Sequence, residues 1–464
     1  CNSELPSDFR RGVCCHLTPD KNKDKSAHQK AGLQNMSKPS SASQSSAQTS
    51  RHAVVVGAGI IGVNVGLALL KQGYDVTIVD RAEPGMGASF GNAGGIAVTE
   101  CAPIAMPGVW ANVPGWLMDP LGPLSVRWSY LPKMMPWLIR FLAASSKSRV
   151  EQIASELAAI LNRAWEDYDP VIAETGLSDA IFKKEGAMGV YRSEKTRRDA
   201  EYGIDLRRRN GVKIRDLTKD EVMDTEPDLA PIFACGVMEE DWGRVLDPFR
   251  IVTGFYKHFL ERGGKFQNAE VTDFVYRDGK PRAVITVQGD QITFDKIVIA
   301  CGAWSKTLAK RLGSSVPLDT ERGYNTTVPY NGVRLSRMVI CADDSFVLTP
   351  MEMGIRVGGA VELGGLVAAP NYNRAKALFA KGKEVLPKLS AEGGTEWMGF
   401  RPSMPDSKPV ISASPKHENV FFAFGHGHLG LTMAATTGRL IADLVSDATA
   451  PINMTPYRID RFQG

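Results

Sequence analysis

No CxxC pair and no HxxxH spacing occurs in the chain, although it holds seven cysteines and seven histidines. The cysteines (Cys1, Cys14, Cys15, Cys101, Cys235, Cys301 and Cys341) are odd in number and scattered. That speaks against a disulfide framework and a structural zinc site, and suits a reducing, cytoplasmic compartment. The histidine spacing makes a catalytic metal an unlikely design. No apolar run is long enough to cross a bilayer, so no transmembrane helix is expected. A dominant charge is missing too: 55 Lys and Arg stand against 51 Asp and Glu, a formal net charge of +4. Without a basic run interleaved with aromatics, nucleic-acid binding is not expected.

What is present is ordinary soluble-protein material, 43% hydrophobic and 23% charged, over 464 residues. That length favours two domains over one core. Residues 37–50, SKPSSASQSSAQTS, hold seven serines and nothing to build a core, so residues 1–50 read as a disordered tail. The first methionine is Met36, and residues 1–35 read as translated upstream sequence or an added end. The competing reading makes Cys1 a lipid-bearing terminus.

Residues 52–81, HAVVVGAGIIGVNVGLALLKQGYDVTIVDR, read strand, turn, helix, strand. Val54, Val55 and Val56 suit a strand buried on both faces. Gly57, Ala58 and Gly59 turn the chain, and Gly62 lets the helix approach the strand. The helix carries Ile61, Val65, Leu69 and Leu70 on one face and ends near Gly73. Gly59 and the helix N-terminus offer backbone N–H groups and a positive dipole end to a pyrophosphate. Asp80, twenty-three residues after Gly57, is placed to accept hydrogen bonds from a ribose. With strand, helix and acid all in place the motif is specific for a dinucleotide, and Ile60 and Arg81 complete its candidate set.

A second glycine-rich loop, GHGHLGLT (425–432), precedes the helical MAATTGRLIADLV near the far end. A helix N-terminus there can face an anionic ring, as a reduced flavin becomes. Two distant glycine loops suit a large dinucleotide bound in extended form.

The chain resembles the FAD-dependent D-amino acid oxidase and dehydrogenase superfamily, and within it the bacterial D-amino acid dehydrogenase small subunits and hydroxy-D-proline dehydrogenases. The stretches that carry this are VVVGAGIIG with Asp80, GASFGNAGGIA (87–97), GRVLDPFRI (243–251), IVIACGAWS (297–305), and GFRPSMPDSKP (399–409) with FAFGHGHLGLT (422–432). ERGYNT (321–326) adds a less specific match. The resemblance implies an α/β and α+β chain. A Rossmann-like, glutathione-reductase-like FAD domain (51–100, 241–316, 396–464) would interleave with a mixed-sheet substrate domain (101–240, 317–395). It implies non-covalent FAD, with Ala88 and Ser89 at phosphate or ribitol and Asn92, Ala93, Gly94 and Gly95 near the ring. A plain loop would look the same. It further implies FAD contacts at Val271, Cys301 and Gly302, and at Gly425, Gly427, Leu429, Gly430, Leu431 and Thr432. Trp304 is either a cofactor neighbour or a core residue.

The activity implied is oxidation of a D-amino acid or cyclic D-imino acid by hydride transfer to the flavin, with electrons leaving to a quinone or carrier. A glycine- or sarcosine-type oxidase using oxygen, and a flavin-binding subunit of a larger complex, are the alternatives. Such chemistry needs a carboxylate clamp above all, and an arginine fork binds a carboxylate bidentately. Arg401, in the GFRP stretch, takes that role by family analogy; the competing reading is an ion pair with Asp406. Arg356 is the rival clamp. Arg322 and Tyr324 share a strand face by alternation, with Tyr324 placed to hydrogen-bond substrate and Arg322 to do so or to pair with an acid. His426 and His428 are placed to tune the flavin or take the ammonium proton, or are structural. Residues 103–150 carry Trp110, Trp116, Trp128 and Trp137 with Lys133, Arg140, Lys147 and Arg149. They suit a peripheral contact with the inner face of a membrane, a lid, or a core helix.

Overall fold

The computed structural model describes residues 51–119, 121–178 and 182–462, of which those from Ser50 onward belong to one compact unit. The expectation of disorder for residues 1–50 lies outside the described residues, as does the Trp116 side chain.

A six-stranded sheet orders the strands Lys265–Asn268, Asp75–Asp80, His52–Val56, Lys296–Ile299, Val420–Phe424 and Val410–Ala413. All neighbours pair in parallel except the last two. Consecutive valines go to opposite faces: Ala53 and Val55 join one apolar core, Val54 and Val56 another. The alternation explains why the run is apolar throughout. The helices Ile60–Lys71, Pro248–Glu261 and Gly430–Val445 supply the first of these cores. A Cβ on Gly438 would lie 2.7 Å from the Asn64 carbonyl oxygen, so the first and last of these helices cross nearly backbone to backbone. Gly430–Val445 begins before the stretch that the sequence suggested.

The second sheet is nine-stranded and mostly antiparallel. Thr395–Ser403, Asp319–Val328 and Gly354–Leu363 lie side by side at one edge, and Ala187–Tyr191, Cys235–Glu239 and Ile214–Thr218 at the other. The expected boundary at residue 396 falls inside this sheet, because Thr395–Ser403 pairs with Asp319–Val328 along nine positions. The GFRP arginine therefore rides on the second sheet. An isolated bridge from Ser403 to His426, and the Gly427 N–H bonded to the Pro402 carbonyl at 2.7 Å, join that strand to the second glycine loop.

Candidate active site

One cavity of about 1860 Å³ runs from the first glycine loop to the second. Small-molecule sites are ordinarily roughly 300–1,000 Å³. This one has room for an extended dinucleotide and a further small ligand.

At one end lie Gly57, Ala58, Gly59, Ile60, Ile61, Asp80 and Arg81. Gly57 has φ +117°, and a Cβ on it would sit 2.4 Å from the Ala300 carbonyl oxygen. Gly59, at the helix N-cap, makes no side-chain cap, and the Ser89 hydroxyl accepts from the Ile60 N–H at 3.1 Å. Asp80 accepts from the Ala58 N–H at 2.7 Å and the Ala82 N–H at 3.0 Å, pinning the turn from both sides. The Arg81 guanidinium stacks 4.5 Å from the Trp304 ring centroid, so Trp304 is a cavity wall rather than deep core. Ala88, Ser89, Asn92, Ala93, Gly95, Val271, Cys301 and Gly302 line the same space.

Four expected cofactor residues stand behind the wall. Gly62 lies beneath the turn, where a Cβ would meet the Gly57 carbonyl oxygen at 1.8 Å. Gly94 (φ +79°) bends the 87–97 loop and donates to Asn92 Oδ1 at 2.8 Å. Gly425 (φ +82°) packs on Met404. The Thr432 hydroxyl accepts from the Ala97 N–H at 2.9 Å, fastening the 87–97 stretch to the last helix.

The remaining wall is the second sheet. Glu321, Gly323, Asn325, Gly358, Ala360, Trp397, Gly399 and Arg401 line it. Arg401 donates to the Ala360 carbonyl at 3.1 Å and forms no ion pair among the described residues. Its guanidinium lies flat on Gly323, where a Cβ would come within 2.4 Å of Cζ. Burial lowers its pKa, with Glu321 opposing. The alternative partner is occupied: Asp406 binds Arg461 at 2.9 and 3.0 Å.

Arg356 is also without an ion pair among the described residues, and burial pushes it down to about 10. It donates to Thr327 Oγ1 at 2.9 Å and to the Asn92 carbonyl, so it holds the 87–97 loop. Thr327 is Arg356's register partner and Glu321 is Arg401's. At about 3.3 Å per residue the two arginines stand about 20 Å apart, and only Arg401 adjoins the second glycine loop.

Arg322 does not reach the cavity. Alternation does put it on one face with Tyr324, but that is the face turned away from Arg401. Fully buried, Arg322 pairs with Glu362 at 3.2 Å and donates to the carbonyls of Gly365, Ala368 and Ala369. Tyr324 touches the cavity wall, yet its hydroxyl already donates to Glu362 at 2.6 Å and accepts from the Asn371 N–H at 3.1 Å. Both histidines line the cavity but differ in exposure, because the chain turns between them instead of running extended. His426 is buried, bonded through Nε2 to the Thr437 hydroxyl at 3.0 Å, and burial holds its pKa down to about 3. His428 projects into the cavity beside Gly427, Leu429, Gly430 and Leu431. Burial lowers its pKa, Glu100 and Glu321 oppose, and Arg401 adds to the lowering.

Sequence reasoning missed a further group in the cavity lining: Glu100, Arg207, Glu239 and Trp242, with Glu100 within electrostatic reach of His428. They come from a turn, the helix Glu201–Arg209 and the strand Cys235–Glu239 with the turn after it, and no spacing in the sequence links them.

The donor set fits FAD. The first glycine turn and uncapped helix end would hold the pyrophosphate, and Ser89 with the 91–95 backbone would follow the chain toward the second loop.

A D-amino-acid oxidase of Bradyrhizobium diazoefficiens is 39% identical over 421 residues, covering 89% of this chain and 99% of that protein. A D-amino acid dehydrogenase of Rhizobium rhizogenes is 29% identical, covering 88% and 99%. Among solved structures, the L-proline dehydrogenase of P. horikoshii superposes with a TM-score of 0.69 at 20% identity over 89% of this chain and 98% of that one. The glycine oxidase of Geobacillus kaustophilus gives 0.68 at 20% over 89% and 99%. Both share the mixed α/β fold described above. From the first strand to the last helix, over residues 52–444, the chain matches the family model DAO, FAD dependent oxidoreductase, and it belongs to that family.

Proposed function

We propose that the chain oxidises D-amino acids, cyclic ones such as D-proline and hydroxy-D-proline among them, with Arg401 as the clamp for the α-carboxylate. The observation that carries this is Arg401 itself, a cavity-facing cation with no carboxylate partner among the described residues, joined through its strand to the second glycine loop. FAD, when bound, supplies the acceptor for the hydride from Cα. Arg401 fixes the substrate's orientation, and Gly323 gives the guanidinium room to lie flat. His428, which faces the cavity and whose pKa is lowered, accepts the α-ammonium proton on its ring nitrogen, leaving the amine free to form an imine. Water then releases the oxo acid and ammonia from an acyclic imine.

Anaerobic mixing with D-proline, hydroxy-D-proline and D-alanine tests the reading. Bleaching of the flavin by at least one is expected, and a flavin that no D-amino acid bleaches would favour a flavin-binding subunit whose partner does the chemistry. Electrons leave to a quinone or carrier in this reading. The name of the relative at 39% identity favours oxygen as the second choice, and rapid peroxide release in place of dye reduction would decide for it.

A membrane route to a quinone is supported by four exposed apolar side chains between residues 110 and 139. Trp110, Met118, Trp128 and Ile139 are 67%, 76%, 66% and 60% exposed, near Lys133 and Arg140 in sequence. The helix Leu131–Ala143 buries Met134, Trp137, Leu138 and Phe141 on its other side, so only its outer face is available. No helix among the described residues is long and apolar enough to cross a membrane. Co-sedimentation with anionic vesicles, lost in Trp110→Ser/Trp128→Ser, is the expected result; wild-type protein that stays in the supernatant sinks the contact.

A further inference from the structure

The cavity lining around Glu100 carries more negative charge than the mechanism uses. Arg207 bridges two glutamates, donating to Glu100 at 2.7 Å and standing 3.7 Å from Glu239. One guanidinium cannot balance both, so the trio has a formal excess of one negative charge. Glu239 is satisfied otherwise: the Trp242 indole donates to it at 3.1 Å and the Thr99 hydroxyl donates as well. Glu100 is not. Only its Oε1 receives a donor, and no hydrogen bond reaches Oε2 among the described residues. Arg207 Nε is buried without a partner, so this wall is not a closed network. The Glu100 side chain is about a fifth exposed, so water meets this oxygen in the free protein and a ligand donor can take the water's place.

We infer that Glu100, with Arg207 and Glu239 behind it, is the specificity-determining end of the substrate site and selects D-amino acids whose side chain ends in a cation. The inference rests on the function proposed above and names the substrate class within it. Glu100, His428 and Arg401 line the same cavity, Arg401 on the second sheet and Glu100 beyond the 87–97 loop, with His428 near enough for both to act on it electrostatically. A basic amino acid offers a carboxylate for Arg401 and an ammonium or guanidinium for Glu100. An acidic side chain would bring a third carboxylate against Glu100 and Glu239, and an apolar one would leave Glu100 undersatisfied. Electrostatics agree: burial works to raise the Glu100 carboxyl, but pairing with Arg207 outweighs it and holds it below the usual range, so Glu100 is ionised at neutral pH. Glu239 is raised by burial, against the pull of Arg207 and with a further push from Glu100.

The test compares flavin reduction in the holoenzyme by D-lysine, D-arginine, D-norleucine and D-glutamate. D-Lysine and D-norleucine have side chains of similar length and differ in the terminal charge. The wild type is expected to prefer D-lysine over D-norleucine by at least about tenfold in kcat/KM, and Glu100→Gln to reduce that ratio by at least about tenfold. The wild-type panel decides even if the variant does not fold. A wild type that reduces its flavin with D-norleucine or D-glutamate as fast as with D-lysine overturns the inference and leaves the proposed function standing. So does a ratio that Glu100→Gln does not move. An equal loss for all substrates places Glu100 at the α-amino end and also overturns it. Reduction by no D-amino acid overturns the proposed function and this inference together.

Discussion

Arg401→Ala is expected to give a folded, yellow protein whose flavin is reduced by D-amino acids hundreds to thousands of times less efficiently. The size follows from removing one member of a buried charge pair, about 3–5 kcal/mol. In this case the pair exists only with substrate bound. Arg401 donates to one backbone carbonyl and to no acid among the described residues, so its removal orphans little in the free protein. Thermal stability should therefore stay close to wild type while the half-saturating substrate concentration climbs. Arg401→Lys should recover only part of the loss, since an ammonium cannot reproduce the bidentate fork. Arg322→Ala is the contrasting variant. It leaves Glu362 to Arg127, 2.7 Å away, and to the Tyr324 hydroxyl, and releases the buried carbonyls of Gly365, Ala368 and Ala369, so it should lower stability by about 1–3 kcal/mol. Rapid-mixing reduction traces and melting curves of both variants separate the roles. Near-normal turnover in Arg401→Ala would end its assignment as the clamp.

The different fates of these two arginines show what a sequence can and cannot express. Alternation along ERGYNT put Arg322 and Tyr324 on one face, and they do share one, with Glu362 between them. Alternation does not say which face meets the cavity. That depends on the sheet's packing, and the informative residue was Gly323, whose missing Cβ makes space for Arg401. The first glycine motif was legible because its constraints are local: strand, turn, helix and acid lie within thirty residues. The second loop was legible in position but not in detail, since the turn that buries His426 and frees His428 is set by contacts with Pro402, Ser403 and Thr437. Glu100, Arg207 and Glu239 carried no signal. Each is an ordinary charged residue in its own segment, and only tertiary packing makes them neighbours.

Gly62→Ala should cost the protein its flavin. The added methyl would lie 1.8 Å from the Gly57 carbonyl oxygen, a backbone atom and not a side chain that can swing aside. Gly57 itself cannot retreat. It holds φ +117°, its own Cβ position is 2.4 Å from the Ala300 carbonyl oxygen, and its N–H donates to the Val79 carbonyl at 2.8 Å. Relief must therefore come from the helix Ile60–Lys71 moving off the strand, which carries its N-terminus and the Ser89-bonded Ile60 N–H away from the phosphate position. Overpacking of this kind costs about 1–3 kcal/mol in stability. The larger effect falls on the cofactor, because the helix end and the turn act on the pyrophosphate only when they hold their places together. Gly73→Ala is the control: its φ is +83°, so it carries backbone strain, but nothing lies within 4 Å of the new methyl. It should lower the melting temperature without touching flavin content. The ratio of flavin to protein absorbance after purification, and again after adding FAD, reads the difference. A Gly62→Ala protein that retains one flavin per chain would show that the helix end is not what grips the cofactor.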